Sequence, residues 1–280
     1  MRLAVAQTFI STSISANGAA IKMAIKGAAA KGARLVNFCE GALSGYAKSQ
    51  ISHPDEWRRF DWEMQNAELH AIAELCGELN IFSVIGAAHY ISDTHPPHNS
   101  LYVFADNGRL LTRYDKRYLS NTELGGWYTP GTEPVTFDVD GYRFGCAICI
   151  ETQFPEIFAE YEGVAADAVL FASYGLGTFF DIALQAHAGI NCLWISAATP
   201  TQTALNGASG IIGPDGKWIA RCHHRDYCDL ELIMTTLDRN DALFNLPLKK
   251  SRPWRVKARS DDIYRGKRVE HSRSRNRDEF

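Results

Sequence analysis

The chain is organised around one segment, Gly145-Cys146-Ala147-Ile148-Cys149-Ile150-Glu151-Thr152-Gln153-Phe154-Pro155-Glu156. The apolar residues before Cys149 predict a buried strand, and Pro155 is typical of the first turn of a helix. Cys149 therefore lies where a strand ends and a helix follows, at an edge of the predicted sheet that a substrate can reach. Because the thiolate is the reactive form of cysteine, a nucleophilic Cys149 needs a base or a cation beside it.

Two other strand-like runs end in side chains that supply such groups. Glu40 follows the apolar run 35–38, and Lys116 follows the run 109–114. A carboxylate can act as a general base. A fixed ammonium group favours the thiolate and stabilises the negative charge that forms when sulfur attacks a carbonyl or nitrile carbon. Glu40, Lys116 and Cys149 are therefore candidate catalytic residues, and the backbone N–H of Ile150 is a candidate second donor to that charge.

The composition is that of a globular protein. Of the 280 residues, 46% are hydrophobic and 22% are charged, and no apolar run is long enough to cross a membrane. The first seven residues predict a strand rather than a secretion signal. Seven cysteines, an odd number in a chain too large to need disulfides, indicate reduced thiols. We therefore expect a cytoplasmic protein without a membrane partner.

The charge is unevenly distributed along the chain. Residues 249–280 contain twelve basic and five acidic residues, a net charge of +7, whereas the rest of the chain carries −10. This division predicts a body over 1–248 and a basic C-terminal extension over 249–280. Charged extensions are usually solvated or docked on their own protein, so docking at a subunit interface is the favoured interpretation. Nucleic-acid binding is the alternative that a basic extension leaves open.

Strands and helices alternate along the body. Hairpin turns interrupt this alternation at Asp106-Asn107-Gly108, Asp140-Gly141 and Pro214-Asp215-Gly216. The pattern predicts mixed sheets layered with helices and argues against a purely parallel barrel. The helices are predicted from periodic apolar positions and cover residues 17–31, 61–79, 155–162 and 179–192.

Several segments together resemble the nitrilase superfamily, the carbon–nitrogen hydrolases, over nearly all of residues 1–240. They are Phe38-Cys39-Glu40-Gly41-Ala42-Leu43-Ser44-Gly45-Tyr46, Tyr114-Asp115-Lys116-Arg117-Tyr118-Leu119, the loop from Glu123 to Gly131, and Cys149 to Glu156. The resemblance implies an α-β-β-α sandwich of two mixed sheets flanked by helices. It also implies a homodimer or larger assembly, in which family C-termini often cross the dimer interface.

The same resemblance implies a function. It assigns catalysis to Glu40, Lys116 and Cys149 without a cofactor or metal, with Glu123 as an additional active-site acid. The expected reaction is hydrolysis of a small amide to a carboxylic acid and ammonia through a thioester on the cysteine. The aromatic residues expected to line the substrate pocket are Tyr46, Trp127, Tyr174 and Phe179.

Two alternatives remain open at the level of sequence. Nitrile hydrolysis by the same three residues is the first, because Glu151 stands where many amidases have aspartate while true nitrilases and some acyl-transferring members have glutamate. The second is a non-catalytic interaction or nucleic-acid-binding protein that uses the basic extension. The presence of a glutamate, a lysine and a cysteine at three strand ends argues against the second alternative, since a scaffold needs none of them.

Two further cysteine motifs suggest other chemistry. Cys146 and Cys149 have the spacing of a redox pair, but if both lie in one strand an odd spacing puts them on opposite faces. The group Cys222, His223, His224 and Cys228 has soft-metal ligand types, yet its spacing matches no standard zinc pattern. Neither motif changes the expectation of a metal-free thiol hydrolase.

Overall fold

The computed structural model describes residues 1–223 and 230–278 of the chain. In chain order, the strands and α-helices of these residues are β1 (Arg2–Thr8), α1 (Ile14–Ala30), β2 (Leu35–Asn37), α2 (Trp62–Leu79), β3 (Phe82–His89), β4 (His98–Phe104), β5 (Leu110–Asp115), β6 (Thr136–Val139), β7 (Tyr142–Ile148), α3 (Pro155–Gly163), β8 (Ala168–Ala172), α4 (Thr178–Asn191), β9 (Trp194–Ala198), β10 (Gly210–Ile212), β11 (Trp218–Arg221), β12 (Leu230–Thr236), α5 (Arg252–Arg259) and α6 (Ser272–Arg275).

The strands within the described ranges form two six-stranded sheets. The first sheet has the order β12-β1-β2-β3-β4-β5, and the second has the order β11-β10-β9-β8-β7-β6. Each sheet has three parallel strands at its centre, β1-β2-β3 and β7-β8-β9, with antiparallel strands on both sides. These mixed sheets, flanked by helices, confirm the predicted α-β-β-α sandwich.

The two sheets face each other through buried side chains. Strands β1 and β2 contact β9, while α1 packs beside α2 on the first sheet and α3 beside α4 on the second. Asn37 links the sheets, because its amide nitrogen donates to the carbonyl oxygens of Phe171 and Ser196 at 3.3 and 3.1 Å. A buried amide bound in this way fixes how β2 sits against β8 and β9.

Helices α3 and α4 are held on the second sheet by an apolar cluster. Phe158 and Leu184 are fully buried against residues of the strands, including Val169 and Ile195. Burial of each such side chain contributes about 1.5–3 kcal/mol. This packing fixes the backbone that follows β7 and β8, where two of the segments that form the candidate site begin.

The chain divides into two compact units, Met1–Asp238 and Arg239–Phe280. The division lies earlier than the boundary after residue 248 that the charge pattern predicts. The second unit contains a π-helical turn, Asn245–Ser251, and helix α5, whose Trp254 and Val256 are both 53% exposed. Among the described residues, no helix is both long and apolar enough to cross a membrane.

Candidate active site

Cys149 lies directly after the end of β7. It begins a short 3-10 helix, Cys149–Gln153, and its φ of 51° is in the left-handed region. A residue other than glycine in this region costs about 1–3 kcal/mol and persists where the surrounding structure enforces it. Its side chain is half-buried, whereas Cys146 is fully buried inside β7. The expectation that both cysteines lie in one strand is therefore wrong, because the strand ends before Cys149.

Glu40 lies after β2 and is fully buried. The backbone turns sharply behind it, since Gly41 has a φ of 67° and a Cβ there would lie 2.6 Å from the carbonyl oxygen of Gly45. One oxygen of the carboxylate, Oε2, accepts the backbone N–H of Tyr174 at 3.0 Å. This bond joins the segment after β2 to the segment after β8, so the carboxylate is held between the two sheets.

Lys116 follows β5 and is also fully buried. Its Nζ donates to Glu40 Oε1 at 3.0 Å and to Glu123 Oε1 at 2.6 Å. Glu123 is held in turn by the backbone N–H of Ser120, which donates to its Oε2 at 2.7 Å. The structure therefore brings three of the predicted site residues into one buried group of two carboxylates and one ammonium.

Asn99 belongs to this group although the sequence did not suggest it. Asn99 lies on β4, and its Nδ2 donates to Glu40 Oε1 at 2.7 Å and to Glu123 Oε1 at 3.5 Å. The alternation of β4 contains a signal for it, because Asn99 shares a face with the apolar residues Leu101 and Val103. A polar side chain at the end of a buried strand face needs a partner, and the two carboxylates are that partner.

The group is electrostatically coupled. Burial raises the pKa of Glu40 above its ordinary value, and Lys116 opposes that shift. Burial alone would lower the pKa of Lys116, but the negative charges around it, first that of Glu40, raise the pKa instead. Burial would raise the pKa of Glu123, yet Lys116 and the Ser120 hydrogen bonds hold it below its ordinary value. Glu40 is therefore the carboxylate that binds a proton more readily.

The surroundings of Cys149 favour its thiol form over the thiolate. Burial, followed by the nearby Glu40 carboxylate, raises the pKa of its thiol to about 12, although Lys116 and a hydrogen bond with Ser173 act in the opposite direction. Because the Glu40 charge acts on the thiol, the carboxylate lies within electrostatic reach of Cys149. A nucleophilic role for this thiol would therefore need a base that takes its proton as the sulfur attacks.

Two tyrosines expected in the pocket stack on each other. The rings of Tyr46 and Tyr174 are parallel, with centroids 4.3 Å apart. The Glu40 charge and burial raise the pKa of Tyr46, which therefore keeps its proton beside the carboxylate. Tyr128, which the sequence did not suggest, is 5% exposed. Burial, followed by the charges of Glu40 and Glu123, raises the pKa of Tyr128, so its ring lies near the charged group.

The other two predicted pocket residues lie in different surroundings. Trp127 is 7% exposed and belongs to an apolar cluster with Ala47, Ile51, Trp57, Ala88 and Tyr128. Phe179 is 64% exposed in the first turn of α4, and its ring neighbour is Phe180. Trp127 therefore supports the wall that holds Tyr128, while the position of Phe179 gives no support for a role in the pocket.

The alternative metal ligands are described only in part. Cys222 is buried against Ala204, Ala208 and Ile233, and the Nδ1 of His223 lies 2.6 Å from Glu231 Oε1. His224 and Cys228 lie outside the described residues. Within the described ranges, no cluster of three or more histidine, cysteine or acidic side chains has the arrangement of a metal site.

Comparison with known proteins identifies the class. The model of the carbon–nitrogen hydrolase family matches residues 2–242, and the chain belongs to this family of hydrolases. It is 24% identical over 251 residues to omega-amidase NIT2 of Homo sapiens, covering 82% of this chain and 88% of that protein. It is also 24% identical to N-carbamoylputrescine amidase of Arabidopsis thaliana, covering 91% of each chain.

Solved structures show the same fold. An amidase from Nesterenkonia sp. superposes with a TM-score of 0.74 at 21% identity, covering 91% of this chain and 96% of that one. A mutant of the Nesterenkonia sp. AN1 amidase also has a TM-score of 0.74 at 21% identity, covering 91% and 99%, and contains the product of acrylamide addition at its active-site cysteine. The family and these relatives make this chain a hydrolase that acts on amides.

Proposed function

We propose that this hydrolase cleaves the C–N bond of a small amide with Cys149 as nucleophile, Glu40 as general base and Lys116 as oxyanion stabiliser. The observation that supports this most strongly is the buried Glu40–Lys116–Glu123 group beside a half-buried thiol. A purely structural role does not account for it, because two carboxylates and one ammonium are costly to bury. An active site uses the same groups for charge and proton transfer.

In the first half of the reaction, the Cys149 sulfur attacks the carbonyl carbon and Glu40 takes the thiol proton. Lys116 Nζ has three N–H donors, and its two carboxylate partners use two of them. The third is available to the oxyanion, together with the N–H of Ile150 in the first turn of the 3-10 helix, where N–H groups have no helical partner. Glu40 then gives its proton to the amide nitrogen of the substrate. The C–N bond breaks, ammonia departs, and the acyl group remains on Cys149 as a thioester.

In the second half, water attacks the thioester. Glu40 takes a proton from the water and returns it to the sulfur as the acid leaves, which restores the thiol. Glu40 Oε1 accepts from Lys116 and Asn99, and its Oε2 accepts from the backbone of Tyr174. A carboxylate has about four acceptor positions, so one position remains for the travelling proton.

A panel of small substrates tests the proposed function. Ammonia release is measured with short aliphatic amides, carbamoyl compounds and the corresponding nitriles. We expect amides to be hydrolysed and nitriles to react more slowly, because the omega-amidase, N-carbamoylputrescine amidase and Nesterenkonia amidase that the chain resembles are amidases. Faster release from nitriles would replace amide hydrolysis by nitrile hydrolysis with the same residues. No release from any compound, with Cys149 unmodified, would contradict the proposal.

As the pH is lowered, the rate of amide hydrolysis should begin to fall at a higher pH than the ordinary glutamate pKa would give. Glu40 accepts a proton only when it is ionised, and burial raises its pKa above the ordinary 4.5. Activity is therefore present above that raised pKa and is lost as the pH falls through it. The measurement is kcat/KM from about pH 4 to 9, the range that spans ordinary carboxylate and thiol behaviour. A profile flat down to the ordinary glutamate pKa would exclude Glu40 as the base.

Asn99→Asp should move this acid limb to higher pH and lower kcat/KM at neutral pH. The new carboxylate would lie beside Glu40 and Glu123, and a like charge raises the pKa of a carboxyl group. Asn107→Asp is the matched control, because Asn107 is exposed in the turn at the far end of the same hairpin. An unchanged profile in Asn99→Asp would show that Asn99 does not act on Glu40.

We propose further that the chain is cytoplasmic and forms a homodimer. Support for the homodimer comes from an exposed apolar face on α4, where Phe179, Ile182 and Ile190 are 64, 61 and 55% exposed. The basic extension 249–280 adds apolar side chains, among them Trp254. Its net charge has the opposite sign to that of the rest of the chain. We propose that this extension docks on the partner subunit with its basic residues toward acidic surface.

Truncation after Leu248 should weaken the dimer. The loss of charge complementarity and of exposed apolar residues such as Trp254 removes the proposed contact, which salt should also weaken because exposed charges are screened over about 10 Å at 0.1 M. Sedimentation of both forms at matched concentration measures the change. A truncated protein that keeps its oligomeric state and melting temperature but no longer binds RNA or DNA would overturn docking in favour of nucleic-acid binding.

A further inference from the structure

Glu151 is a buried carboxylate with no part in the proton transfers of the proposed reaction. It lies in the 3-10 helix that begins at Cys149 and is 0% exposed. Four groups donate to it. The hydroxyl of Tyr114 is 2.8 Å from both carboxylate oxygens, and three backbone N–H groups complete the set. A charge bound this completely is held in one position.

The three backbone donors come from two separate parts of the chain. Glu151 Oε1 accepts the N–H of Arg117 at 2.7 Å and that of Tyr118 at 3.1 Å, the two residues that follow Lys116. Its Oε2 accepts the N–H of Ile148 at 2.7 Å, the residue that precedes Cys149. The carboxylate therefore ties the backbone beside the ammonium to the backbone beside the sulfur.

These bonds act where the backbone is strained. Cys149 is in the left-handed region with a φ of 51°, and the N–H bond at Ile148 fixes the residue directly before it. Lys116 follows Tyr114 by two residues, so the Tyr114 hydroxyl and the two N–H groups hold both sides of the lysine. Movement of either segment would change the distance between Lys116 Nζ and the sulfur.

We propose that Glu151 is a positioning residue that sets the separation of Lys116 and Cys149 by binding both segments. The proposal rests on the proposed function of those two residues. This positioning role differs from a purely stabilising one, because the Glu151 carboxylate affects the reaction rate through the positions of Lys116 and Cys149. A shift of even 1 Å in a catalytic group can cost about a hundredfold in rate.

The test uses Glu151→Gln and Tyr114→Phe. The amide NH₂ of the glutamine cannot accept a hydrogen bond. It must face either the N–H groups of Arg117 and Tyr118 or the N–H of Ile148, so one of these two backbone segments loses its bonds. We expect kcat to fall at least about tenfold in Glu151→Gln and by a smaller factor in Tyr114→Phe, with KM within about twofold of wild type, because misplacement acts on the chemical step. Tyr114→Phe keeps all three backbone bonds and therefore tests the proposal even if Glu151→Gln does not fold.

Alkylation of Cys149 by iodoacetamide from about pH 7 to 9.5 gives a second readout, in the range where thiols ordinarily ionise. Lys116 stabilises the thiolate, so separation of the two residues should slow alkylation at each pH. Loss of the Glu151 negative charge alone would have the opposite sign, because a nearby negative charge disfavours the thiolate. Slower alkylation therefore indicates displacement of the lysine.

Tyr161→Phe is the matched control. It also removes one buried tyrosine hydroxyl near the cysteine, but that hydroxyl donates to the carbonyl oxygen of Cys146 at 2.6 Å and not to Glu151. We expect a lower melting temperature with unchanged kcat and alkylation. If Tyr114→Phe matches Tyr161→Phe in all three measurements, or if Glu151→Gln alkylates faster than wild type, the proposal is overturned. Failure of the proposed function is distinct, since it shows as absent turnover in the wild type.

Discussion

Cys149→Ala is expected to abolish amide hydrolysis and leave the fold intact. Among the described residues that form the candidate site, no other side chain can form the thioester, so turnover should fall to background. The substitution removes only the sulfur from a half-buried side chain, a small loss of volume. Burial also raises the pKa of this thiol and so disfavours the thiolate, and we therefore expect little loss of stability from its removal. Ammonia release and circular dichroism on the same samples measure the two effects.

Cys146→Ala is the matched control for this result. Cys146 is fully buried in β7, three positions before Cys149 and on the same segment. Its removal should lower the melting temperature slightly and leave kcat unchanged. Turnover near the wild-type rate in Cys149→Ala would remove Cys149 from the mechanism, and loss of turnover in folded Cys146→Ala would transfer the role to that residue.

Lys116→Met is expected to lower kcat at least about a hundredfold, the usual scale for loss of an oxyanion donor. It removes the ammonium that bonds Glu40 and Glu123 at 3.0 and 2.6 Å. The two carboxylates then remain buried without their cation, which costs about 3–5 kcal/mol of stability. Both kcat and the melting temperature should therefore fall.

Glu40→Gln separates the rate effect from the stability effect. Its amide oxygen can still accept from Lys116, so the ammonium keeps both partners, while the amide NH₂ faces the backbone N–H of Tyr174 and only that hydrogen bond is lost. The base is also lost, so kcat should again fall at least about a hundredfold. Lys22→Met is the control for removal of a lysine ion pair, because Lys22 bonds Glu68 at 2.8 Å between α1 and α2. A folded Glu40→Gln protein with wild-type kcat would contradict the assignment of the base.

The strand ends made the three candidate residues predictable from the sequence. Glu40, Lys116 and Cys149 each follow a strand-like run, and the ends of neighbouring strands in layered sheets converge. The hairpin turns and helical periodicity likewise predicted the mixed sheets. What the sequence did not predict is how the loop segments cross the sheet ends, because those paths depend on contacts between distant residues such as Glu40 and Tyr174.

Asn99, Tyr128 and Phe179 illustrate that limit. Asn99 lies at the start of a strand, and its role depends on a carboxylate 59 positions earlier in the chain. Tyr128 follows Trp127 in a glycine-rich loop, where spacing does not say which ring turns toward the charges. Phe179 lies in the first turn of a helix whose rotation over the sheet is set by the buried side chains of Leu184 and Ala188.

Peptide mass spectrometry during turnover tests the central claim most directly. The wild-type protein is mixed with an excess of a short aliphatic amide that it hydrolyses, quenched with acid and digested. The account predicts a peptide containing Cys149 that carries the acyl group, absent in Cys149→Ala and released by alkali as expected of a thioester. Hydrolysis of the amide at the same rate with an unmodified Cys149, or with the acyl group on another residue, would contradict it.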